Sequence, residues 1–347
     1  MHDSLLTLLA GERRGLGAAL ERCGLQLAAV PYSWAVAIRN RLFDLGWRAI
    51  HQAGVPVVSV GNLTVGGTGK TPCVEYVARL FCQLNRRVAI LSRGYGSREG
   101  PNDEALLLKE NLPDVPHLQA ADRVALAQRA VEQLKCDVLL LDDGFQHRRL
   151  ARDLDLVLLD ATQPWGFGHL LPRGLLRESR RGLERAGVVL VTRCDQVPQP
   201  ALDRLQAEVT QLAPQTPVIL TSHRPTEWID AERRTKPLEQ FVGKRVAAFC
   251  GIGNPEAFRR TLVDLGVTLG AFRSFPDHHA YRRNDIESLC NWARQNATEG
   301  IVVTTQKDLV KLRLTRLGEC ELWALRIQLR IHAGQDTLDR KLKEALG

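Results

Sequence analysis

The sequence predicts an α/β fold with a parallel sheet flanked by helices, a second and smaller α/β domain, and an apolar helix at the N-terminus. From Val55 onward, short β-branched segments alternate with helical ones, which is typical of parallel strands joined by crossover helices. A polar, proline-rich stretch at 198–236 interrupts this alternation, and a second alternating series follows it. The 347 residues also exceed the usual size of one hydrophobic core. We therefore predict domains at 1–54, 55–235 and 236–347.

Each α/β domain is predicted from its own series of segments. In the first, apolar β-branched runs predict strands and the longer amphipathic runs predict helices. The strands are expected at 57–60, 87–91, 137–141, 155–159, 188–191 and 218–220, and the helices at 70–84 and 121–134. In the second, strands are expected at 245–250, 301–304 and 322–327, and helices at 255–265, 284–295 and 336–346.

The N-terminal segment has no uninterrupted apolar stretch long enough to span a membrane. Its longest charge-free run, Cys23 to Ile38, falls below the roughly 18 residues that a spanning helix needs. An apolar stripe at helical spacing is formed by Trp34, Ile38, Leu42 and Leu45. Arg41 and Arg48 lie at its edge. The pattern fits either a helix lying in the plane of a membrane surface or a helix packed on the protein's own core.

Composition limits the function classes. Apolar residues make up 44% and charged residues 25%, which is ordinary for a folded chain. The formal charge of +8 favours acidic partners, but no run of Lys and Arg is long enough to predict nucleic-acid binding. The eight cysteines are scattered without a C-x-x-C pair, so we expect a reducing, cytosolic compartment and no zinc knuckle.

A glycine-rich loop follows the first predicted strand and opens the first predicted helix. Its residues are Thr64, Val65, Gly66, Gly67, Thr68, Gly69, Lys70 and Thr71. Glycines let backbone amides approach phosphates closely, and the helix N-terminus adds partial positive charge. Lys70 would reach the terminal phosphates and Thr71 would ligate Mg²⁺. The loop therefore predicts a sheet of the P-loop NTPase type, although Thr64 stands where the strict motif has glycine.

A carboxylate at the end of a neighbouring apolar strand is the second signal of nucleotide binding. The strand at 137–141 ends in Asp142 and Asp143, and Asp142 would hold Mg²⁺ directly or through water. Guanine-specific P-loop proteins commonly carry Asn-Lys-x-Asp after a strand, whereas this chain has Thr192-Arg193-Cys194-Asp195 there. The missing Asn favours ATP over GTP.

Several polar segments are candidates for handling an acceptor alcohol. The segment 142–149 leaves a strand end and brings His147 and two arginines beside the terminal phosphate, unless it is a solvated basic loop. Asn102-Asp103-Glu104 alone predicts a turn, and Asp277-His278-His279 precedes a helix. The segment Trp165 to Arg177 suits either a lid over an amphiphilic ligand or an ordinary long loop.

Together these segments resemble the tetraacyldisaccharide 4′-kinases of lipid A biosynthesis. The motifs that carry the resemblance are Gly61-Asn62-Leu63-Thr64 through Pro72, Ser92-Arg93-Gly94-Tyr95-Gly96, Asp142 to His147, Leu176-Arg177-Glu178, Phe275-Pro276-Asp277-His278-His279 and Lys307-Asp308-Leu309-Val310-Lys311-Leu312. They follow the family's order over nearly the whole chain. One departure is Asn102-Asp103-Glu104-Ala105, where the family usually shows Gly-Asp-Glu-Pro.

The resemblance implies transfer of the ATP γ-phosphate to the 4′-hydroxyl of a tetraacyldisaccharide 1-phosphate, with Mg²⁺ as cofactor. It implies an active site between two α/β domains, at the cytoplasmic face of a Gram-negative inner membrane, with the N-terminal helix as a peripheral docking element. Asp103 would act as base with His278 as its partner, and Lys70 and Asp142 would serve the nucleotide and metal. The implied disaccharide or phosphate contacts are Asp143, His147, Arg177, Glu178 and Tyr95.

Two other functions fit the loop and the N-terminus. One is a P-loop GTPase or ATPase that delivers a metal to another protein; the other is a nucleotide-gated membrane adaptor. Tight GTP binding would favour the first, and full function without His278 would favour the second. For the kinase a monomer is expected, and removing residues up to about Gly54 is expected to abolish liposome association.

Overall fold

The computed structural model describes residues 2–94 and 103–347, with the backbone alone for residues 2–4. The described residues form two compact units. The first unit contains the chain up to Gly94, Asp114–Ser222 and Leu329–Gly347; the second contains the described part of Tyr95–Pro113 and His223–Gln328. The chain therefore passes between the units several times, whereas the sequence prediction divides it at single points. The predicted α/β class with an N-terminal helix is confirmed.

The regular elements are numbered in chain order. The helices are α1 (His2–Leu9), α2 (Leu16–Asp44), α3 (Lys70–Gln83), α4 (Asp103–Asn111), α5 (Arg123–Glu132), α6 (Gln199–Leu212), α7 (Pro255–Asp264), α8 (Arg283–Asn296), α9 (Gln306–Leu312) and α10 (Gln335–Glu344). The strands are β1 (Val57–Asn62), β2 (Val88–Ser92), β3 (His117–Gln119), β4 (Val138–Asp142), β5 (Leu154–Asp160), β6 (Val188–Thr192), β7 (Val218–Ile229), β8 (Thr235–Lys236), β9 (Arg245–Cys250), β10 (Thr268–Ser274), β11 (Ile301–Thr305), β12 (Arg316–Leu317) and β13 (Cys320–Ala333).

The first unit is built on a parallel sheet in the order β7-β6-β5-β1-β4-β2-β3. Strands β1, β4 and β6 are buried along their whole length, as expected of strands covered by helices on both faces. Val60 of β1 lies opposite Asp142 of β4. Because parallel strands end at one edge, the loops after β1 and β4 meet there, where α/β proteins bind ligands.

The stretch predicted to separate the domains contains a helix that sequence reasoning missed. Helix α6 buries Leu202, Leu205 and Val209 in the core of the first unit. Its start carries Pro198 at the N-cap and Pro200 in the first turn. Proline is tolerated in a first turn because the amide it lacks has no partner within the helix there. The prolines that resembled a linker therefore mark a helix start.

In the second unit the strands run in the order β10-β9-β11-β13, each parallel to its neighbour, with β12 antiparallel to β13. Helix α4 packs against α9 in this unit. Asp103 and Glu104 open α4, so the turn predicted for Asn102-Asp103-Glu104 is wrong for these two residues. Acidic side chains favour the first turn of a helix because they complement the partial positive charge of its N-terminus.

Helix α2 runs for 29 residues and contains Pro31 within it. Its outer face exposes large apolar side chains, namely Leu16, Leu20, Leu27, Val30, Trp34 and Ile38. The predicted stripe is correct for Trp34 and Ile38, but Leu42 is only partly exposed and its neighbour Phe43 is buried. None of the helices in the described ranges has the length and apolar character needed to cross a bilayer.

Candidate active-site residues

The glycine-rich loop joins the buried strand β1 to helix α3. Gly66 and Gly69 have φ angles of 114° and 86°, which side chains with a Cβ rarely adopt. The loop therefore needs glycine at these two positions. Helix α3 starts at Lys70, so the predicted lysine and Thr71 lie in its first turn. This is the geometry in which loop amides and a helix N-terminus face an anion together.

Residues at the end of β6 hold the outside of this loop. The Thr192 hydroxyl donates to the Thr68 carbonyl at 3.0 Å, and Arg193 Nη2 donates to the Gly67 carbonyl at 2.8 Å. Arg193 also pairs with Asp160 at the end of β5. These donors fix the backbone of the loop at Gly67 and Thr68.

The segment Trp165 to Arg177 lies along the same loop. The Val65 amide donates to the Leu175 carbonyl at 2.8 Å, and the Arg177 amide donates to the Leu63 carbonyl at 2.7 Å. Sequence reasoning left this segment open as a lid or an ordinary loop. The backbone bonds at Leu175 and Arg177 fix Arg177 beside the glycine-rich loop.

The two predicted metal ligands, Thr71 and Asp142, are both buried, at 4% exposure each. Burial, together with the charge of Asp142, raises the pKa of the Cys73 thiol to about 12. Helix α3 packs against β4, the strand that ends at Asp142. A hydroxyl and a carboxylate are oxygen donors of the kind Mg²⁺ prefers. Among the described residues, no group of three or more His, Cys, Asp or Glu side chains could hold a metal. This pair suits a cation that keeps waters and substrate phosphates as its other ligands.

Asp143 sits between two cations. Arg177 Nη1 lies 2.8 Å from both carboxylate oxygens, and Lys70 Nζ lies 3.7 Å from Oδ1. Burial raises the pKa of Asp143, but Lys70 and Arg177 outweigh it and the pKa is lowered. Asp143 also has a φ of 56°, an uncommon value for a residue with a side chain. The structure thus holds an ionised carboxylate against the P-loop lysine.

Two glycines allow the turn after β4 to approach β1. A Cβ on Gly144 would lie 2.6 Å from both Leu141 Cβ and Ser59 Oγ, and one on Gly61 would lie 2.6 Å from Phe145 Cβ. Contacts this short do not occur, so larger residues would push the turn away from β1. Glycine at both places brings Asp143 and Gln146 to the end of the glycine-rich loop.

Glu178 is the centre of a buried network that sequence reasoning did not foresee. With 1% exposure it accepts hydrogen bonds from Gln146 Nε2 at 3.0 Å, Asn40 Nδ2 at 3.0 Å and Arg185 Nη2 at 2.9 Å. Tyr32 donates its hydroxyl to the Arg177 carbonyl at 2.9 Å. Helix α2 therefore contributes Tyr32 and Asn40 to the support of Arg177 and Glu178.

His147 lies among arginines, with the carboxylate of Asp122 also close. Burial and the neighbouring Arg123, Arg149 and Arg152 lower the pKa of His147 to about 4. The imidazole is therefore neutral at physiological pH and can offer both a donor and an acceptor nitrogen.

Asp103 and His278, which the resemblance pairs, both lie in the second unit and contact each other there. His278 Nδ1 lies 2.9 Å from Asp103 Oδ2 and 3.0 Å from Oδ1. Asp103 is buried, whereas the His278 side chain is 55% exposed and has a φ of 58°. Of the other predicted contacts, Tyr95 lies outside the described residues.

The pKa values of this pair move in opposite directions. Burial raises the pKa of Asp103, but the hydrogen bond from His278 and the ammonium groups of Lys307 and Lys311 outweigh it, so the pKa is lowered. The hydrogen bond to Asp103 raises the pKa of His278 although burial opposes it. An ionised carboxylate with a hydrogen-bonded imidazole is an arrangement suited to accepting a proton from an alcohol.

The chain is similar to one family of known proteins over nearly its whole length. A family model described as tetraacyldisaccharide-1-P 4′-kinase matches residues 22–347. A tetraacyldisaccharide 4′-kinase of Anaeromyxobacter sp. (strain Fw109-5) is 42% identical over 354 residues, which cover 97% of this chain and 95% of that protein. One of Geobacter metallireducens is 40% identical, covering 85% of this chain and 90% of that protein.

A solved structure shows the same similarity in three dimensions. The “apo” form of LpxK from Aquifex aeolicus, in complex with ATP, is 30% identical and superposes with a TM-score of 0.76. The match covers 94% of this chain and 99% of that one.

Proposed function

Because the chain belongs to the tetraacyldisaccharide 4′-kinase family, we propose that it transfers the γ-phosphate of ATP to the 4′-hydroxyl of a tetraacyldisaccharide 1-phosphate. The product is the 1,4′-bisphosphate. The observation that carries the proposal is the glycine-rich loop that opens into α3 with Lys70 held beside Asp143. This constellation supports phosphoryl transfer, in which a lysine at this position neutralises charge on the transferred group.

The first unit supplies the nucleotide site in this proposal. The loop Thr64 to Thr71 and the N-terminus of α3 bind the phosphates of ATP through backbone amides other than that of Val65, which donates to Leu175. Thr71 and Asp142 hold the Mg²⁺, which neutralises charge on the phosphate oxygens when it is bound. The position that reads guanine in many P-loop GTPases is taken by Thr192 and Arg193, whose side chains are engaged with the loop backbone. We therefore infer ATP rather than GTP as the phosphate donor.

The second unit supplies the proton acceptor. Asp103 takes the proton of the 4′-hydroxyl while the hydroxyl oxygen forms a bond to the γ-phosphorus. The bond between that phosphorus and the oxygen that bridges it to the β-phosphate breaks, and ADP is released. His278 donates to Asp103 through Nδ1 and holds the carboxylate in place. Arg177, Glu178, Asp143, His147 and Tyr95 are proposed to contact the disaccharide or its phosphates.

The direct test is an activity assay with a choice of donor. We expect protein incubated with Mg²⁺, ATP and tetraacyldisaccharide 1-phosphate in detergent to form the 1,4′-bisphosphate, and GTP to give a kcat/KM at least about tenfold lower. Mass spectrometry of the lipid measures bisphosphate formation with each nucleotide. No bisphosphate at high enzyme concentration would refute the kinase function. A preference for GTP would instead support the GTPase alternative.

We further propose that α2 docks on the cytoplasmic face of a bacterial inner membrane and brings the glycolipid within reach. Three facts support it: the outer face of α2 exposes Leu20, Leu27, Trp34 and Ile38, arginines are interspersed along the helix, and the chain carries a net charge of +8. Apolar residues with basic neighbours are typical of helices that lie in the plane of an anionic membrane surface.

Point substitutions test docking better than truncation, because removing the helix also removes Tyr32 and Asn40. We expect Trp34→Ser with Ile38→Ser to reduce partitioning to anionic phospholipid vesicles at least tenfold. Each side chain contributes about 1.5–3 kcal/mol when buried in an apolar phase, and tenfold corresponds to about 1.4 kcal/mol. Vesicle cosedimentation measures the change.

The matched control for docking is Val242→Ser with Val263→Ser. These two valines are also exposed apolar residues but belong to the second unit. The control should partition as the unsubstituted protein does. Equal partitioning of the α2 variant and the unsubstituted protein would rule out docking through this face.

A further inference from the structure

The motif Lys307-Asp308-Leu309-Val310-Lys311 has no role in the proposed reaction, yet it lies against the Asp103–His278 pair. We propose that Lys311, fixed by the buried Asp308, is a positioning residue that keeps the pair in its proton-accepting state. This inference rests on the proposed function for its kinetic consequence. Its structural basis lies wholly within the second unit.

Asp308 is a fully buried carboxylate, and both of its oxygens accept hydrogen bonds. Its Oδ2 accepts from the Gly251 amide at 3.0 Å and the Thr305 hydroxyl at 2.7 Å, and its Oδ1 accepts from the Tyr281 hydroxyl at 3.0 Å. Three donors from three different segments leave it no freedom to rotate. A buried anion held in this way also demands a nearby cation.

Lys311 is that cation. Its Nζ lies 3.0 Å from Asp308 Oδ1 and 3.9 Å from Asp103 Oδ2, and 5.2 Å from the centre of the Tyr281 ring. The side chain is only 12% exposed. Asp308 and the ring thus hold the ammonium group close to Asp103 but beyond a close hydrogen bond. Lys311 stabilises the charge of Asp103 and leaves its oxygens to His278 and to an incoming proton.

The other charged groups around the pair are arranged differently. Lys307, one turn before Lys311 on α9, bonds Glu104 at 2.9 Å and is thereby engaged with the residue next to Asp103. Asp277 Oδ2 lies 3.7 Å from His278 Nε2. Lys311 is therefore the cation whose removal changes the charge beside Asp103 while leaving the pairs of Glu104 and Asp277 in place.

Lys311→Met keeps an unbranched side chain, one heavy atom shorter, and removes its charge. Without the ammonium group Asp103 binds protons more tightly, and so does the coupled pair. The acid limb of the kcat/KM profile should therefore move to higher pH. We expect kcat/KM to fall at the acid end of the profile and to change by less than about twofold at pH 9, with the KM for ATP unchanged.

A substrate-free measurement separates this inference from the proposed function. The His278 ring signals, followed by NMR during a pH titration, should shift their midpoint upward in Lys311→Met. That result supports the positioning role even if no kinase activity is found. The matched control is Lys244→Met, which removes the same charge from an exposed pair with Glu299 in the same unit. Its profile and titration should match the unsubstituted protein.

A second variant predicts the opposite direction. Asp308→Asn frees Lys311 to approach Asp103 directly, so the acid limb should move to lower pH while kcat falls. If Asp308→Asn does not fold, the pH profile and the His278 titration of Lys311→Met alone decide whether the inference holds. Superimposable pH profiles and His278 titrations for Lys311→Met and the unsubstituted protein would overturn the inference.

Discussion

Replacing Lys70 by methionine is expected to lower kcat by about three orders of magnitude. The Lys70 ammonium is the cation placed at the start of α3, 3.5 Å from Asn62 Oδ1 and 3.7 Å from Asp143. Negative charge on the transferred phosphoryl group needs a fixed cation there, and losing one such contact costs about 4 kcal/mol, or about a thousandfold. Single-turnover rates of bisphosphate formation measure the loss.

The fold should survive the Lys70 substitution, because Asp143 keeps its bonds to Arg177. The matched control is Lys341→Met, which removes a lysine from an exposed pair with Glu344 in the same unit. It should leave kcat within about twofold. A loss of less than tenfold for Lys70→Met would mean that another cation serves the phosphates.

The nucleotide loop was predictable from sequence because its determinants are local. Glycines at positions of positive φ, a preceding apolar strand and a helix start are all encoded within about 15 residues, and the structure has each of them. Asp142 was predictable for the same reason, as the last residue of an apolar run. Local patterns of this kind are where sequence reasoning is strongest.

The supports of the site were not predictable, because they depend on contacts between distant parts of the chain. Asn40 and Glu178 are separated by 138 residues, and Tyr32 and Arg177 by 145. No periodicity or motif in α2 signals that one face supports Arg177 and Glu178 while another is exposed. The same holds for Lys311, whose importance follows only from the placement of Asp308 and Asp103 around it.

The pairing of Asp103 with His278 was predictable only in part, unlike the nucleotide loop and unlike the residues that support the site. Their separation of 175 residues hides the contact from any local pattern, and the residues alone suggested a turn and a helix start. Family resemblance brought the two together before the structure did. Physical reasoning then adds what resemblance lacks, namely the pKa directions and their causes.

Asp103→Asn should reduce kcat by about 10²- to 10⁴-fold, the range that a positioned general base contributes. The amide keeps the shape of the carboxylate but cannot take the hydroxyl proton. The KM for ATP should change little, because the loop proposed to bind the nucleotide contains neither Asp103 nor His278. Steady-state kinetics with each substrate varied in turn separate the two effects.

His278→Ala tests whether the pair acts as one unit. Alone it should lower kcat by about a hundredfold, since Asp103 loses the donor that orients it. Combined with Asp103→Asn it should add almost nothing, because residues that act together are not additive. The control is His279→Gln. His279 follows His278 directly, but its Nε2 lies 3.2 Å from Asp285 and its ring stacks on Phe275. Additive losses in the double variant would show that Asp103 and His278 serve separate steps, and His278 would then no longer be the partner of the base.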